Sequence, residues 1–301
     1  MEWGIAINLR ESVSEIIEMA KIADRGGIET IWITDFPATR VSPILASVVA
    51  ENTRTSRIGV GLLSPLIYSS SHILQMMTTL IETYGNRFDL LLGPGDRTKL
   101  GEIGVSYGDI TTLVARMNAS VTTIRSGLSE YEECKVFVGA QGSKMIELST
   151  CSDGVLLNYS DSEMIQWAIS HLEDKPTGFT IGIFPPSLIG SSKPCDEHIG
   201  VRTSAAVVAL GLSPSLMRRF GLIEDLQPAI LKMKKVGLTD EVVEMLGQNI
   251  LSRFSLCGDN ESNVNLLRIY QRIGVDIVVY GPPQGASLRG VKQLVSAKKE
   301  F

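Results

Sequence analysis

The sequence predicts an α/β fold: a closed (β/α)8 TIM barrel of parallel strands, with a helical insertion between strands seven and eight. Three observations predict it. Eight short apolar runs recur along the chain, each bounded by turn residues. Most are followed by a segment of helical periodicity, and such alternation builds a parallel sheet with its helices outside. The 301 residues also suit one barrel, which usually takes roughly 250 before insertions. A single domain over 1–301 is therefore expected, carrying an insertion at about 185–255.

The runs are EWGIAIN (2–8), ETIWITD (29–35), SRIGVGLLS (56–64), RFDLLLG (87–93), KVFVGA (135–140), DGVLLNY (153–159), FTIGIF (179–184) and VDIVVYG (275–281). They are continuous rather than alternating, as strands buried on both faces require. The helices between them carry start signals. Ser12 and Glu15 make a capping box ahead of Val13, Ile16, Ile17, Ala20 and Ala23, which share one face. Ser42 reads as an N-cap with Pro43 at the first helical position, before Ile44, Leu45, Val48 and Val49. Asp161 stands in the same relation to Met164, Ile165, Ala168, Ile169 and Leu172.

The helix over 70–84 places Ile73, Met76, Met77, Leu80 and Tyr84 on one face, as a barrel helix requires. Leu74 and Ile81 lie on another side. That apolar surplus predicts a homodimer buried through this helix, in preference to a Met-lined ligand groove. The interval from 185 to 274 breaks the rhythm. It opens with the Pro- and Ser-rich PPSLIGSSKPCDEH (185–198), a surface crossing. Helical patterns follow near 203–219, 224–235, 239–252 and 261–273.

Hydrophobic residues make up 44% and charged residues 20%, enough to bury a large core, and the net charge of -5 argues against a nucleic-acid partner. No basic leader with a signal-length apolar stretch is present, and no window nears the roughly 18 apolar residues of a membrane span. A cytoplasmic protein with no membrane partner is expected. Cys134, Cys151, Cys195 and Cys257 stand apart with no CxxC pair, which predicts reduced thiols. His72, His171 and His198 are equally scattered, so no metal site is expected.

In a barrel of this kind the site lies at the C-terminal ends of the strands. Those ends carry Asn8, Asp35, Gly61 to Ser64, Gly93 to Asp96, Gly139 to Gly142, Asn158 and Gly281 to Gly285. In GPGD (93–96) a glycine turn closes an apolar strand, and Arg97 and Lys99 follow the carboxylate. In VFVGAQGSKM (136–145) a strand ends in glycines at the start of a helix. Glycines let backbone N–H groups approach an anion, and a helix N-terminus adds partial positive charge. Simple loop chemistry also accounts for either turn alone. Asp96 and Asp35 could each be helix caps, or partners of cations.

Taken in order, WITD (32–35), SRIGVGLLSP (56–65), GPGD (93–96), VGAQGSKM (138–145), SDGVLLN (152–158), FSLCGDNE (254–261) and GPPQG (281–285) span nearly the whole chain. The set resembles the bacterial luciferase-like superfamily, most closely its coenzyme F420-dependent methylenetetrahydromethanopterin reductases. The resemblance implies the luciferase-like form of the barrel and an oxidoreductase passing hydride between reduced deazaflavin and a one-carbon pterin. It implies that Gly139, Ala140, Gln141 and Gly142 help hold the coenzyme's phosphate. Gly93, Pro94 and Gly95 would lie by the ring and its polar tail, and Asp35 near the coenzyme; Asn158, at a strand end, is a further cofactor-binding candidate. Gly61 and Leu62 would join through a non-prolyl cis peptide behind the ring. Asp96 matches a catalytic acid of related sugar-phosphate dehydrogenases and is the catalytic candidate. Two positions depart from the reductase pattern: Ala6 stands for an acidic residue and Phe36 for a histidine, both expected to face the substrate. An FMN-dependent monooxygenase and a non-catalytic flavin-binding relative are the alternatives within the same superfamily.

Overall fold

Each of the eight apolar runs forms a strand. In the computed structural model, which describes residues 1–7, 10–36, 40–191 and 197–301, seven come first in the chain: β1 (Glu2–Ile7), β2 (Thr30–Ile33), β3 (Arg57–Leu63), β4 (Phe88–Leu92), β5 (Val136–Ala140), β6 (Gly154–Leu157) and β7 (Thr180–Ile183). Two short strands, β8 (Ser187–Ile189) and β9 (Leu256–Gly258), pair with each other, and β10 (Ile277–Gly285) closes the barrel between β7 and β1. All the barrel pairings are parallel.

Alternation along the strands divides the core in two. Ala6, Trp32, Leu91, Phe137, Leu156, Ile277 and Val279 fill the lumen, and a larger cluster lies between strands and helices. Trp32 takes the middle of the lumen, edge-on to Phe137 with ring centroids 5.9 Å apart. Its bulk dictates the residue across from it, because a Cβ on Gly59 would lie 2.2 Å from the indole. At the N-terminal end, Arg57 grips the buried Asp89 through two bonds of 2.7 and 2.8 Å, and the Lys135 amide donates to the same carboxylate. This forked, charge-assisted pair closes the floor.

The outer layer contains α1 (Val13–Arg25), α2 (Ser42–Asn52), α3 (Ser70–Tyr84), α4 (Arg97–Glu102), α5 (Ile110–Gly127), α6 (Ser143–Ser149) and α7 (Ser162–Ile169). Both halves of the predicted capping box are present on α1, and Asp161 accepts the Met164 amide to cap α7. Ser42 is different. It is the first residue of α2 rather than its N-cap, and its amide donates to Asp35 Oδ1 at 3.4 Å. The cap is supplied from the preceding loop.

Leu74 and Ile81, the surplus apolar residues from which a dimer face on α3 is expected, pack within this chain. Ile81 is only 4% exposed. Leu74 covers Gly127 of α5, where a Cβ would approach its Cδ2 to 2.7 Å. A barrel helix meets two neighbouring helices as well as the sheet, so its apolar arc is wider than one contact needs; here α2 and α5 flank α3. The exposed positions of α3 are Ser71, His72, Gln75, Thr79, Glu82 and Thr83, all polar.

Between β8 and β9 the insertion forms α8 (Ile199–Leu210), α9 (Pro214–Arg219), α10 (Ile223–Val236), α11 (Asp240–Glu244), α12 (Gln248–Leu251) and a 3-10 turn (Ser252–Phe254). The pattern near 203–219 is thus two helices, since Ser213 caps a new start with Pro214 in its first turn. After β9, α13 (Asn260–Arg272) leads into β10, and α14 (Leu288–Glu300) ends the chain. The insertion is fastened at several points. Arg253 pairs with Asp161 at 2.7 Å, and the fully buried Gln284 joins the Ile189 amide to the Gly290 carbonyl. Cys134 and Cys151 are free thiols, whereas Cys257 on β9 is disulfide-bonded, against the expectation of reduced cysteines. Sequence spacing does not register a bond made by the chain's return. Cys195 lies outside the described residues. Among the described residues, no helix is long and apolar enough to cross a membrane.

Candidate active site at the barrel mouth

Leu62 organises the mouth. The Gly61–Leu62 peptide is cis, as the resemblance implied. Gly61 has φ +126, and a Cβ there would fall 2.2 Å from the Leu91 carbonyl oxygen, so no other residue fits. The Leu62 side chain reaches across two neighbouring strand ends. Cβ atoms on Gly93 and Gly139 would lie 2.3 and 2.8 Å from its Cδ1. These glycines therefore make room first for Leu62. Leu62 and Phe184, both half-buried, cap the lumenal cluster at its C-terminal end.

The loop after β3 is tied to its surroundings on three sides. Ser64 Oγ donates to the Pro94 carbonyl at 2.8 Å, Arg116 to the Pro65 carbonyl at 2.8 Å, and the Tyr68 hydroxyl to Asp35 Oδ2 at 3.3 Å. Asp35 thus joins the loops after β2 and β3. Burial raises its carboxyl above the ordinary range, and donors from Ser42 and Tyr68 oppose that rise. Tyr68 is pushed up to about 12 by burial and by the Asp35 charge, so its hydroxyl stays protonated as a donor.

Asp96 is exposed at the rim, one residue before α4. Its Oδ1 accepts the Lys99 amide at 2.8 Å, a helix cap. The neighbouring cations are engaged elsewhere: Lys99 Nζ lies 2.8 Å from Glu102, and the Arg97 guanidinium sits 4.8 Å from the Tyr107 ring centroid. Pro94 and Gly95 are half-buried beside it.

At the end of β5, Gly142 is the N-cap of α6 and places no side chain over that helix's first amides. Gln141 turns away, its Nε2 donating to the Val208 carbonyl of α8 at 3.2 Å. That bond brings the insertion to the rim, where Gly200 also meets Pro283. Asn158, two residues beyond the lumenal Leu156, has its Oδ1 enclosed without a hydrogen-bond partner. Ala6 is fully buried in the lumenal cluster and does not face an open substrate side, whereas Phe36 is 50% exposed on the rim. Asn8 lies outside the described residues.

The mouth therefore assembles Asp35, Gly61, Leu62, Gly93, Pro94, Gly95, Gly139, Ala140, Gly142 and Asn158 from adjacent strand ends, with Asp96 at the edge. Sequence reasoning placed Ser64 at a strand end without giving it a role, and missed Tyr68, Arg116 and Phe184. Nothing in their local pattern marks them, because each acts through a partner on a different element.

The profile of the luciferase-like monooxygenase family matches residues 2–276. The chain is 24% identical to 5,10-methylenetetrahydromethanopterin reductase of Archaeoglobus fulgidus, over 98% of this chain and 97% of that one. It is 25% identical to the enzyme of the same name from Methanolobus tindarius, over 98% of each. The coenzyme F420-dependent tetrahydromethanopterin reductase of Methanopyrus kandleri has a similar structure, with a TM-score of 0.85 at 17% identity, covering 98% of this chain and 97% of that one.

Proposed function

Because this chain belongs to the luciferase-like monooxygenase family, we propose that it is an oxidoreductase working with coenzyme F420 to pass hydride to or from a one-carbon pterin or a similar small acceptor. The observation that carries this reading is the apolar shelf made by Leu62 over Gly93 and Gly139. A flat ring system finds there a side-chain surface with glycine backbone beside it, and the residues present fit such a group. The likeness to named reductases over nearly the full chain supports the same choice. When bound, the coenzyme would supply the hydride chemistry, and the protein orientation and electrostatics.

The chain's own residues divide that work. Leu62, Gly93, Pro94 and Gly95 would form the wall against which the ring rests. Gly139, Ala140 and Gly142 would leave the opening amides of α6 accessible to an anionic tail, since Gly142 adds no side chain there. Gln141 would act indirectly, by holding α8 at the rim. Asp35 would fix the loops that frame the site and keep a carboxylate near it. Asp96 would hold or release the proton that accompanies transfer, at the carboxylate oxygen not occupied by the Lys99 amide.

Asp96→Asn tests the catalytic role without removing the cap, because asparagine caps helices as well as aspartate does. With coenzyme F420 and a methylene-pterin substrate, kcat should fall by about 10²–10⁴ while coenzyme affinity is kept. Turnover at the wild-type rate would leave Asp96 as a cap alone. A wild-type protein that takes up FMN and refuses F420 would favour the monooxygenase alternative. One that binds F420 but does not turn over this pterin would direct the search to another acceptor, with the exposed Phe36 as the first position to restore.

A further inference from the structure

Asn158 has a side-chain oxygen that is enclosed and yet unpartnered. Buried polar groups are almost always hydrogen-bonded, and leaving one unmade is costly. Where this one points follows from the strand. On β6, Leu156 belongs to the lumenal cluster, and a Cβ on Gly154 would meet the lumenal Phe137 ring at 2.7 Å. Alternation puts Asn158 on the same face, one step further toward the mouth.

Its neighbours are known from the pairing. On one side Leu156 is in register with Gly139, over which Leu62 lies. On the other side the Phe184 amide donates to the Leu157 carbonyl at 2.6 Å, which sets Phe184 beside the end of β6. The end of β6, and Asn158 with it, therefore lies between the strand end over which Leu62 reaches and the one that carries Phe184, both half-buried. Trp32 Nε1 is also unpartnered, but it is shut inside the lumen against Gly4, where a Cβ would already lie 3.2 Å away. No ligand can reach it.

We propose that Asn158 is a ligand-reading residue whose amide pairs with the lactam edge of a planar heterocycle held at the barrel mouth. A primary amide offers an acceptor oxygen and a donor nitrogen side by side, which matches a ring N–H next to a ring carbonyl. The flanking apolar side chains would contact the ring's faces and exclude water from the two bonds. This rests on the reading above only in requiring a flat ring at this place. A lactam edge is common to deazaflavins, flavins and pterins, so either the coenzyme or the acceptor could be its source.

The test uses the full-length protein and two variants. Asn158→Leu keeps the shape and removes both polar atoms; Asn158→Asp keeps the acceptor and removes the donor. Melting temperature is measured without ligand, and dissociation constants are measured by titration with coenzyme F420, with FMN and with the methylene-pterin. Asn158→Leu should melt no lower than wild type, because it removes an unpartnered buried group. It should bind one of the three ligands about ten- to a hundredfold more weakly, with Asn158→Asp between. The ligand that suffers is the source of the lactam edge.

A lower melting temperature for Asn158→Leu overturns the proposal, since the amide would then serve the fold. So does unchanged affinity for every ligand that the wild type binds. F420 bound equally by wild type and both variants, with the pterin also unaffected, removes Asn158 but leaves the coenzyme reading intact. FMN bound in place of F420, and weakened by the leucine, does the reverse. A wild type that binds none of the three overturns both.

Discussion

Three glycines at the mouth look alike in the sequence but do different work. Gly61 is required by its own backbone, with φ +126 and a carbonyl where a side chain would go. Gly93 and Gly139 are required by Leu62, a residue distant from both in sequence. Gly93→Ala should therefore displace Leu62 and destabilise the protein by about 1–3 kcal/mol, the usual cost of overpacking. It should also weaken whatever binds on the Leu62 shelf. Gly101→Ala is the control, because nothing lies within 4 Å of a Cβ at that position. If chemical denaturation finds Gly93→Ala as stable as Gly101→Ala, the fit described for Leu62 is wrong. Asp96 and Asp35 make a related contrast. Both read as strand-end carboxylates, yet Asp96 caps its own helix from an exposed rim while Asp35 is half-buried between two loops.

At the scale of elements, α3 shows what periodicity can and cannot report. The spacing of Leu74 and Ile81 correctly marks them as apolar positions on a second flank. It does not say whether that flank meets another copy of the chain or another helix of the same one. The answer is α5 and the outer core. Ile81→Asp should bury an unpaired charge and lower the denaturation midpoint steeply, by several kcal/mol on the scale of core disruptions. Light scattering combined with a urea titration checks this. A variant of undiminished stability whose mass alone had changed would support a subunit interface on α3. The insertion helices follow the same logic: the single pattern read over 203–219 passed over the start signal of Ser213 and Pro214 that separates α8 from α9, and the pairing of β8 with β9 had no local sign.

For the whole molecule, the barrel is closed below by Arg57 and Asp89 and framed above by an insertion anchored at Asp161, Gln284 and Gln141. Those anchors cross between the insertion and the barrel at separate strand ends. We expect the two to unfold together, in one calorimetric transition. Arg57→Ala should shift that transition down without splitting it. Removing one partner strands the carboxylate of Asp89, 4% exposed, at a cost of about 3–5 kcal/mol. Two separate transitions in the wild-type protein would instead make 185–255 a folding unit of its own.

The number of barrel strands and their order were legible in the sequence, and their bounds to within two residues except at the end of β10. Continuous apolar runs report burial on both faces, and strand–helix alternation leaves one way to close a parallel sheet. The capping box at Ser12, the helix over 70–84 and the cis peptide at Gly61 were expected too, the last through resemblance to a family. Tertiary structure alone decided what each mouth residue touches. Leu62 lies over glycines of two other strands, Tyr68 reaches Asp35, Gln141 holds α8, and Asn158 is left with an enclosed oxygen and no partner. A local pattern records whether a position faces core or water. The identity of its neighbour depends on where the chain returns, and in a closed barrel that is set by strands far apart in sequence.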